Sequence, residues 1–178
     1  MKKVPEKKKR NLTKIIRIIA IALLILFIFR GIAVLVLLIA LSLSMSYFVN
    51  ALKLRNIGIE LVTFTGVLAG LKFGPWVGLI LTFILISYHM ITGTFFGIYL
   101  VWVIPAYCIA AVISGFLPQM NIVSLGIYIT IGINMNNLFF TFLSNPSYVP
   151  KYLTFVLTNI LFNILIFSLL GPIVVLVM

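Results

Sequence analysis

The sequence predicts an all-α, polytopic membrane protein with six transmembrane helices, seven being the alternative. Three observations lead there. Of the 178 residues, 63% are hydrophobic and only 8% are charged, with a mean hydropathy of +1.31; a water-soluble fold of this size would need a largely apolar surface. Between Lys14 and Met178 there is one acidic residue, Glu60, and one histidine, His89. Finally, the apolar residues fall in runs bounded by turn signals, several near the roughly 20 residues that a helix needs to cross a bilayer. Such runs are too long and too apolar for strands, and helices satisfy their own backbone in lipid.

The elements follow in order. Residues 1–13 form a basic tail, and 14–178 a single transmembrane helical domain. Eight of the 13 Lys and Arg lie in the first 17 residues, against two acids in the whole chain and a net charge of +11. Directly before an apolar run, such a tail marks a cytoplasmic flank held against anionic membrane lipid, not a nucleic-acid contact. The apolar stretch that follows outruns the core of a signal peptide and lacks a small-residue cleavage site. It divides into Ile15–Phe29 and Ile32–Val49 at Arg30-Gly31. A long tilted helix, or an interfacial helix before a spanning one, gives six crossings; a tight hairpin of two spanning helices gives seven. Ile15–Phe29 is short for a span, which favours six.

Five further runs are clear: Gly58–Leu71, Pro75–Ile91, Phe95–Leu117, Ile122–Leu143 and Tyr152–Met178. They are separated by Lys72-Phe-Gly-Pro75, Thr92-Gly-Thr94, Pro118-Gln-Met-Asn121 and Ser144-Asn-Pro-Ser-Tyr-Val-Pro150. Gly66, Gly70, Gly74 and Gly78 recur every four residues through the first of these breaks, predicting a tightly packed antiparallel hairpin.

Alternating the helix directions gathers the polar residues at one leaflet. Glu60, Thr63, Thr65, His89, Tyr99 and Trp102 fall there. So do Asn134, Asn136, Asn137 and Thr141 of the next run, with Tyr152, Thr158, Asn159 and Asn163 of the last. The opposite leaflet receives Gly70, Leu71, Val77, Gly78, Ala110, Ala111 and Gly115, with Ser114, Ser124 and Tyr128 as modest polar exceptions. A one-sided polar concentration inside a bundle is what a solute cavity needs, since Asn offers donors and acceptors and Trp and Tyr offer flat faces with a polar edge. The candidate substrate-binding residues are therefore Glu60, His89, Trp102, Asn134, Asn137, Asn159 and Asn163. The same residue types also make interfacial aromatic belts and interhelical ties. Glu60 has Lys53, Arg55 and His89 as candidate partners, or serves as counter-charge for a neutral or cationic solute.

Catalytic signals are lacking. The chain has no Asp and no Gly-x-Ser-x-Gly, His-Glu-x-x-His or phosphate-loop motif, and Cys108 is its only cysteine. The expectation is a non-enzyme without cofactor or metal.

The stretch Gly58-Ile-Glu-Leu-Val-Thr-Phe-Thr-Gly-Val-Leu-Ala-Gly-Leu-Lys-Phe-Gly-Pro-Trp-Val-Gly78 resembles the second and third helices of the substrate-binding S components of energy-coupling factor transporters. Ile104-Pro-Ala-Tyr to Gly115-Phe-Leu, and Thr158-Asn-Ile-Leu-Phe-Asn163 to Gly171-Pro172, are also similar, so the likeness covers most of the chain beyond residue 31. It implies a vitamin-like solute bound near the extracellular face and carried in by a complex with a transmembrane coupling subunit and two ATPase subunits. It also implies a small-residue docking pattern in the first helix, whose nearest match is Ala40-x-x-x-Ser44 with Ala33 one heptad before. The rod-shape-determining D protein family is similar in size, and implies a non-transporting scaffold of the cell-wall machinery.

Overall fold

The computed structural model describes residues 14–19, 21, 28–54, 56–95 and 97–178. The basic tail at 1–13, most of the apolar stretch before Ile28, and Arg55 lie outside the described residues. The expectations placed on them, lipid contact by the tail included, do too. Residues 14–19 are helical and exposed.

The described chain is all-helical, and six main helices form the bundle: α1 (Arg30–Ala51), α2 (Val62–Phe73), α3 (Pro75–Thr92), α4 (Leu100–Phe116), α5 (Ile122–Ser144) and α6 (Val149–Leu169). A 3-10 turn (Pro146–Tyr148) precedes α6, and a short α7 (Gly171–Val177) follows it. Four stretches are long and apolar enough to cross a membrane: α1, α3, α5, and α6 together with its preceding turn. With 12 and 17 residues, α2 and α4 are shorter; at about 1.5 Å per residue, α2 extends only about 18 Å.

Successive helices run antiparallel, which puts the 52–61, 93–99 and 145–148 connections at one end. The α2–α3 turn, the α4–α5 connection, Arg30 and Met178 lie at the other. Gly31 confirms the second grouping, since a Cβ on it would come 2.9 Å from the Met178 carbonyl.

The exterior is apolar and the interior carries the polar groups, the reverse of a water-solvated fold. Ile80, Phe83, Ile84, Leu157, Leu161 and Leu165 point outward. Ser42, Ser46, Glu60, Thr65, Asn134 and Asn159 are buried. Central to the bundle is α2, whose residues Val62–Gly70 are all buried, as befits a helix that is apolar all round. Its Phe64 meets Phe167 of α6 edge to face at 5.0 Å.

The glycine spacing marks the closed end. Gly74 has φ +94°, a conformation open to a residue without Cβ, and Pro75 starts α3 at once. Added Cβ atoms at Gly70 would overlap the Ala111 carbonyl and Ser114 Oγ, and one at Gly78 would come 2.7 Å from Gly70 Cα. Ser114 Oγ donates to Val67 O at 3.0 Å and to Ala111 O at 2.7 Å. Here α2, α3 and α4 touch backbone to backbone.

Three boundaries differ from the sequence reading. Residues 58–61 are not helical, and α2 starts at Val62, because Glu60 turns its carboxylate onto the first-turn Thr63. Gly93 and Gly97 loosen the next connection, where Thr94 adopts φ +53°, so α4 starts at Leu100 and not at Phe95. The last run begins earlier, at Val149, and breaks at Leu170, since Pro172 has no N–H to continue the ladder.

Candidate functional site

Two polar assemblies and one cavity occupy the end of the bundle opposite the glycine-packed turn. The first assembly starts from residues 58–61, an irregular segment inside the apolar body. Irregular backbone is tolerated there only if its polar groups find partners in the protein. Gly58 N–H donates to Thr158 Oγ1 at 2.8 Å, and Gly58 O accepts from Asn159 Nδ2 at 2.9 Å. Glu60, 1% exposed, accepts three bonds. Thr63 N–H donates to Oε2 at 2.9 Å, Thr63 Oγ1 donates to Oε1 at 2.6 Å, and Asn159 Nδ2 donates to Oε1 at 3.2 Å. The carboxylate therefore caps α2 from outside the helix, filling the need for acceptors at a helix start.

Asparagines extend this assembly across α5 and α6. Asn134 Nδ2 donates to Asn159 Oδ1 at 2.7 Å and to Thr130 O at 2.8 Å. Asn163 Nδ2 donates to Asn159 O at 3.1 Å, while its Oδ1 is buried without a partner. Tyr107 of α4, 4% exposed, lies beside Thr63.

The second assembly ties α1 to α3. His89 Nδ1 lies 3.0 Å from Ser46 Oγ. Asn50 Nδ2 donates to Thr92 Oγ1 at 2.9 Å and to His89 O at 3.2 Å. The His89 ring also stacks on Phe95, with centroids 6.3 Å apart and planes 21° apart.

Beside both assemblies opens a cavity of about 500 Å³, within the usual range of small-molecule sites. Its wall is built from the end of α3 and the following connection (His89, Phe95, Tyr99), from α4 (Trp102, Val103, Tyr107), from α5 (Asn137, Thr141) and from α6 (Lys151, Tyr152, Phe155); Asn56, Ser144, Asn145 and Tyr148 reach it from the connections. Trp102 stacks on Phe140 at 5.8 Å, and its Nε1 is buried without a hydrogen-bond partner. Asn137 lies beside Tyr152, and Tyr152 stacks on Phe155 at 5.5 Å.

The seven predicted site residues thus separate. His89, Trp102 and Asn137 line the cavity. Glu60, Asn134, Asn159 and Asn163 do not; the first three form the helix-tying assembly, and Asn163 bonds only the Asn159 carbonyl of its own helix. Glu60 is hydrogen-bonded to Thr63 and Asn159, while Lys53 is exposed and at φ +57°. Ala33, Ala40 and Ser44 sit together on the outward face of α1, away from the bundle.

The sequence reading passed over Tyr107, Phe95 and Phe155. A signal for the first existed, because Tyr99, Val103 and Tyr107 recur every four residues and so share a face of α4. Phe95 and Phe155 carried none, being two phenylalanines among 15. No family model, no curated protein and no solved structure matches this chain.

Proposed function

We propose that the chain is the membrane-embedded solute-binding subunit of an uptake system, crossing the membrane six times and taking up a vitamin-like small molecule from outside. The observation that carries this reading is the cavity of about 500 Å³ at one end of the bundle, set against the backbone-to-backbone glycine packing at the other. Three aromatic or amide side chains at its wall, His89, Trp102 and Asn137, come from three helices with no sequence proximity. Such convergence is what a binding site requires.

Orientation follows from charge. With the basic tail inside, the Arg30 end of α1 and Met178 face the cytoplasm and the cavity faces outward. The short helices α2 and α4 traverse the bundle without filling a bilayer alone, their ends continued by connections whose polar groups are bonded within the protein. Energy for accumulation would come from two ATPase subunits through a transmembrane coupling subunit. The outward Ala33, Ala40 and Ser44 are the surface on which a partner helix packs closely.

A second reading, a non-transporting scaffold, draws on a different observation: Asn134, Asn159 and Asn163 spend their amides on other helices and backbone, not on the cavity. Protein purified from its native membrane and analysed by mass spectrometry tests the first reading directly. A stoichiometric co-purified small molecule, or thermal stabilisation by a member of a vitamin, nucleobase and amino-acid panel, is expected. An empty protein that no compound stabilises would leave the scaffold.

A further inference from the structure

We propose that the cavity takes a planar aromatic ring system bearing an acidic group, with the ring held between aromatic side chains and the acid at Lys151. This rests on the solute-binding reading above and specifies its ligand class.

The shape argument comes from the rings. On the α3 side, His89 and Phe95 are nearly parallel, 21° apart. On the α6 side, Tyr152 and Phe155 are more nearly so, 14° apart with centroids at 5.5 Å. Trp102 of α4 adds a third flat ring to the lining. Aromatic pairs prefer offset stacking or edge-to-face contact. A wall of flat rings therefore rewards a flat guest and gives a saturated ring of equal size little.

Polarity decides the rest. Among the described residues lining the cavity there is no carboxylate, and Lys151 is the only fully charged side chain. Trp102 Nε1–H, a pure donor, has no partner. Glu60, the expected counter-charge for a cation, lies outside the lining with three donors already on its oxygens. The proposal therefore departs from the expectation of a neutral or cationic solute. An ammonium with no carboxylate among the described lining residues calls for a negative charge.

The test uses one ring with three charges. Full-length protein in detergent is dialysed to equilibrium against indole-3-acetate, indole-3-acetamide, tryptamine and cyclohexaneacetate, with empty micelles as blank. Indole-3-acetate should bind tightest. The amide should bind about two- to fivefold more weakly, the range an exposed charge pair supplies, and tryptamine more weakly still. Cyclohexaneacetate should fall about tenfold below the indole acid, as loss of stacking implies. Lys151→Gln should bring the acid down to the amide and leave the amide unchanged. Tryptamine binding as well as the acid, cyclohexaneacetate matching it, or Lys151→Gln without effect would overturn the proposal. So would absence of all indole binding while a compound of the broader panel stabilises the protein, an outcome that leaves solute binding intact. If neither set binds, solute binding itself fails and this inference with it.

Discussion

Replacing Asn159 by alanine removes the one side chain on which the polar interior converges. Its amide makes three bonds: it accepts from Asn134 at 2.7 Å, and donates to Gly58 O at 2.9 Å and to Glu60 at 3.2 Å. Interhelical hydrogen bonds in membrane bundles average about 0.6 kcal/mol, so the three together are worth about 2 kcal/mol. The damage exceeds that sum because the survivors fare unequally. Asn134 keeps Thr130 O, and Glu60 keeps both donors from Thr63. The Gly58 carbonyl, buried in an irregular segment, loses its amide donor, and an orphaned buried acceptor costs about 1–3 kcal/mol. The expected loss is therefore about 2–4 kcal/mol, read by reversible unfolding in mixed micelles. Asn134→Ala, which breaks one interhelical bond, should cost about 0.6–1 kcal/mol. Asn159→Asp should be worse than alanine, since it sets a second carboxylate against Glu60 in the bundle interior. Asn137→Ala, at a residue that lines the cavity but is itself only 1% exposed, breaks no bond to α6 or to the 58–61 segment and should cost about 0.5–1.5 kcal/mol, the net worth of one hydrogen bond. Asn159→Ala indistinguishable from wild type, or less harmful than Asn137→Ala, would refute the division into a tying assembly and a cavity wall.

Glu60→Gln keeps the shape but replaces an acceptor oxygen with a donor facing donors; it should destabilise by about 1–3 kcal/mol in the same unfolding measurement, and a neutral effect would show that the carboxylate is not the cap of α2. Gly70→Leu should reduce folded yield and stability by more than the usual 1–3 kcal/mol of overpacking, since the new side chain meets the Ala111 backbone as well as Ser114 Oγ; a normal melting profile in detergent would remove the close-packed end. Reporter fusions at the basic tail and after Met178 should both read cytoplasmic, and opposite readings would establish seven crossings and invert the cavity.

Much of the helical plan was legible because lipid leaves few options: an apolar run must be a helix, and Gly74-Pro75 must be a turn. The helix starts at Val62 and Leu100 were not, since both depend on connections whose partners lie far along the chain. Gly58 is held by Thr158 and Asn159, a hundred residues away. The one-ended gathering of polar residues was visible from helix direction alone. Their division was not. Asn134 and Asn137 are one turn apart on α5, yet the first points to α6 and the second to the cavity, a choice set by how α5 is rotated against its neighbours. Nothing in a single sequence carries that rotation, because the helix is apolar on the remaining faces too. The bonds of Glu60 were hidden for a related reason. A lone carboxylate in a membrane segment invites a functional reading, whereas its nearest donors, Thr63 N–H and Oγ1, are only three residues on and make it a cap.

The cap also explains why the cavity can exist beside a core this tight. Ahead of the 12-residue α2, the non-helical stretch from Gly58 to Leu61 runs inside the protein, with Gly58, Glu60 and Leu61 buried. Each backbone group it exposes there needs a partner, and asparagine and threonine supply them with no net charge to desolvate. One acid suffices where acceptors are wanted, at the start of α2, and α5 and α6 are drawn together by the same amides that hold the segment down. Tyr107, beside Thr63 on one side and lining the cavity on the other, is where that rigid floor meets the open space. The tying assembly therefore does not compete with the binding wall for polar groups. It fixes α2, α4, α5 and α6 in the arrangement that leaves His89, Trp102 and Asn137 facing a shared cavity, and a change in Asn159 should reach any ligand through that geometry alone.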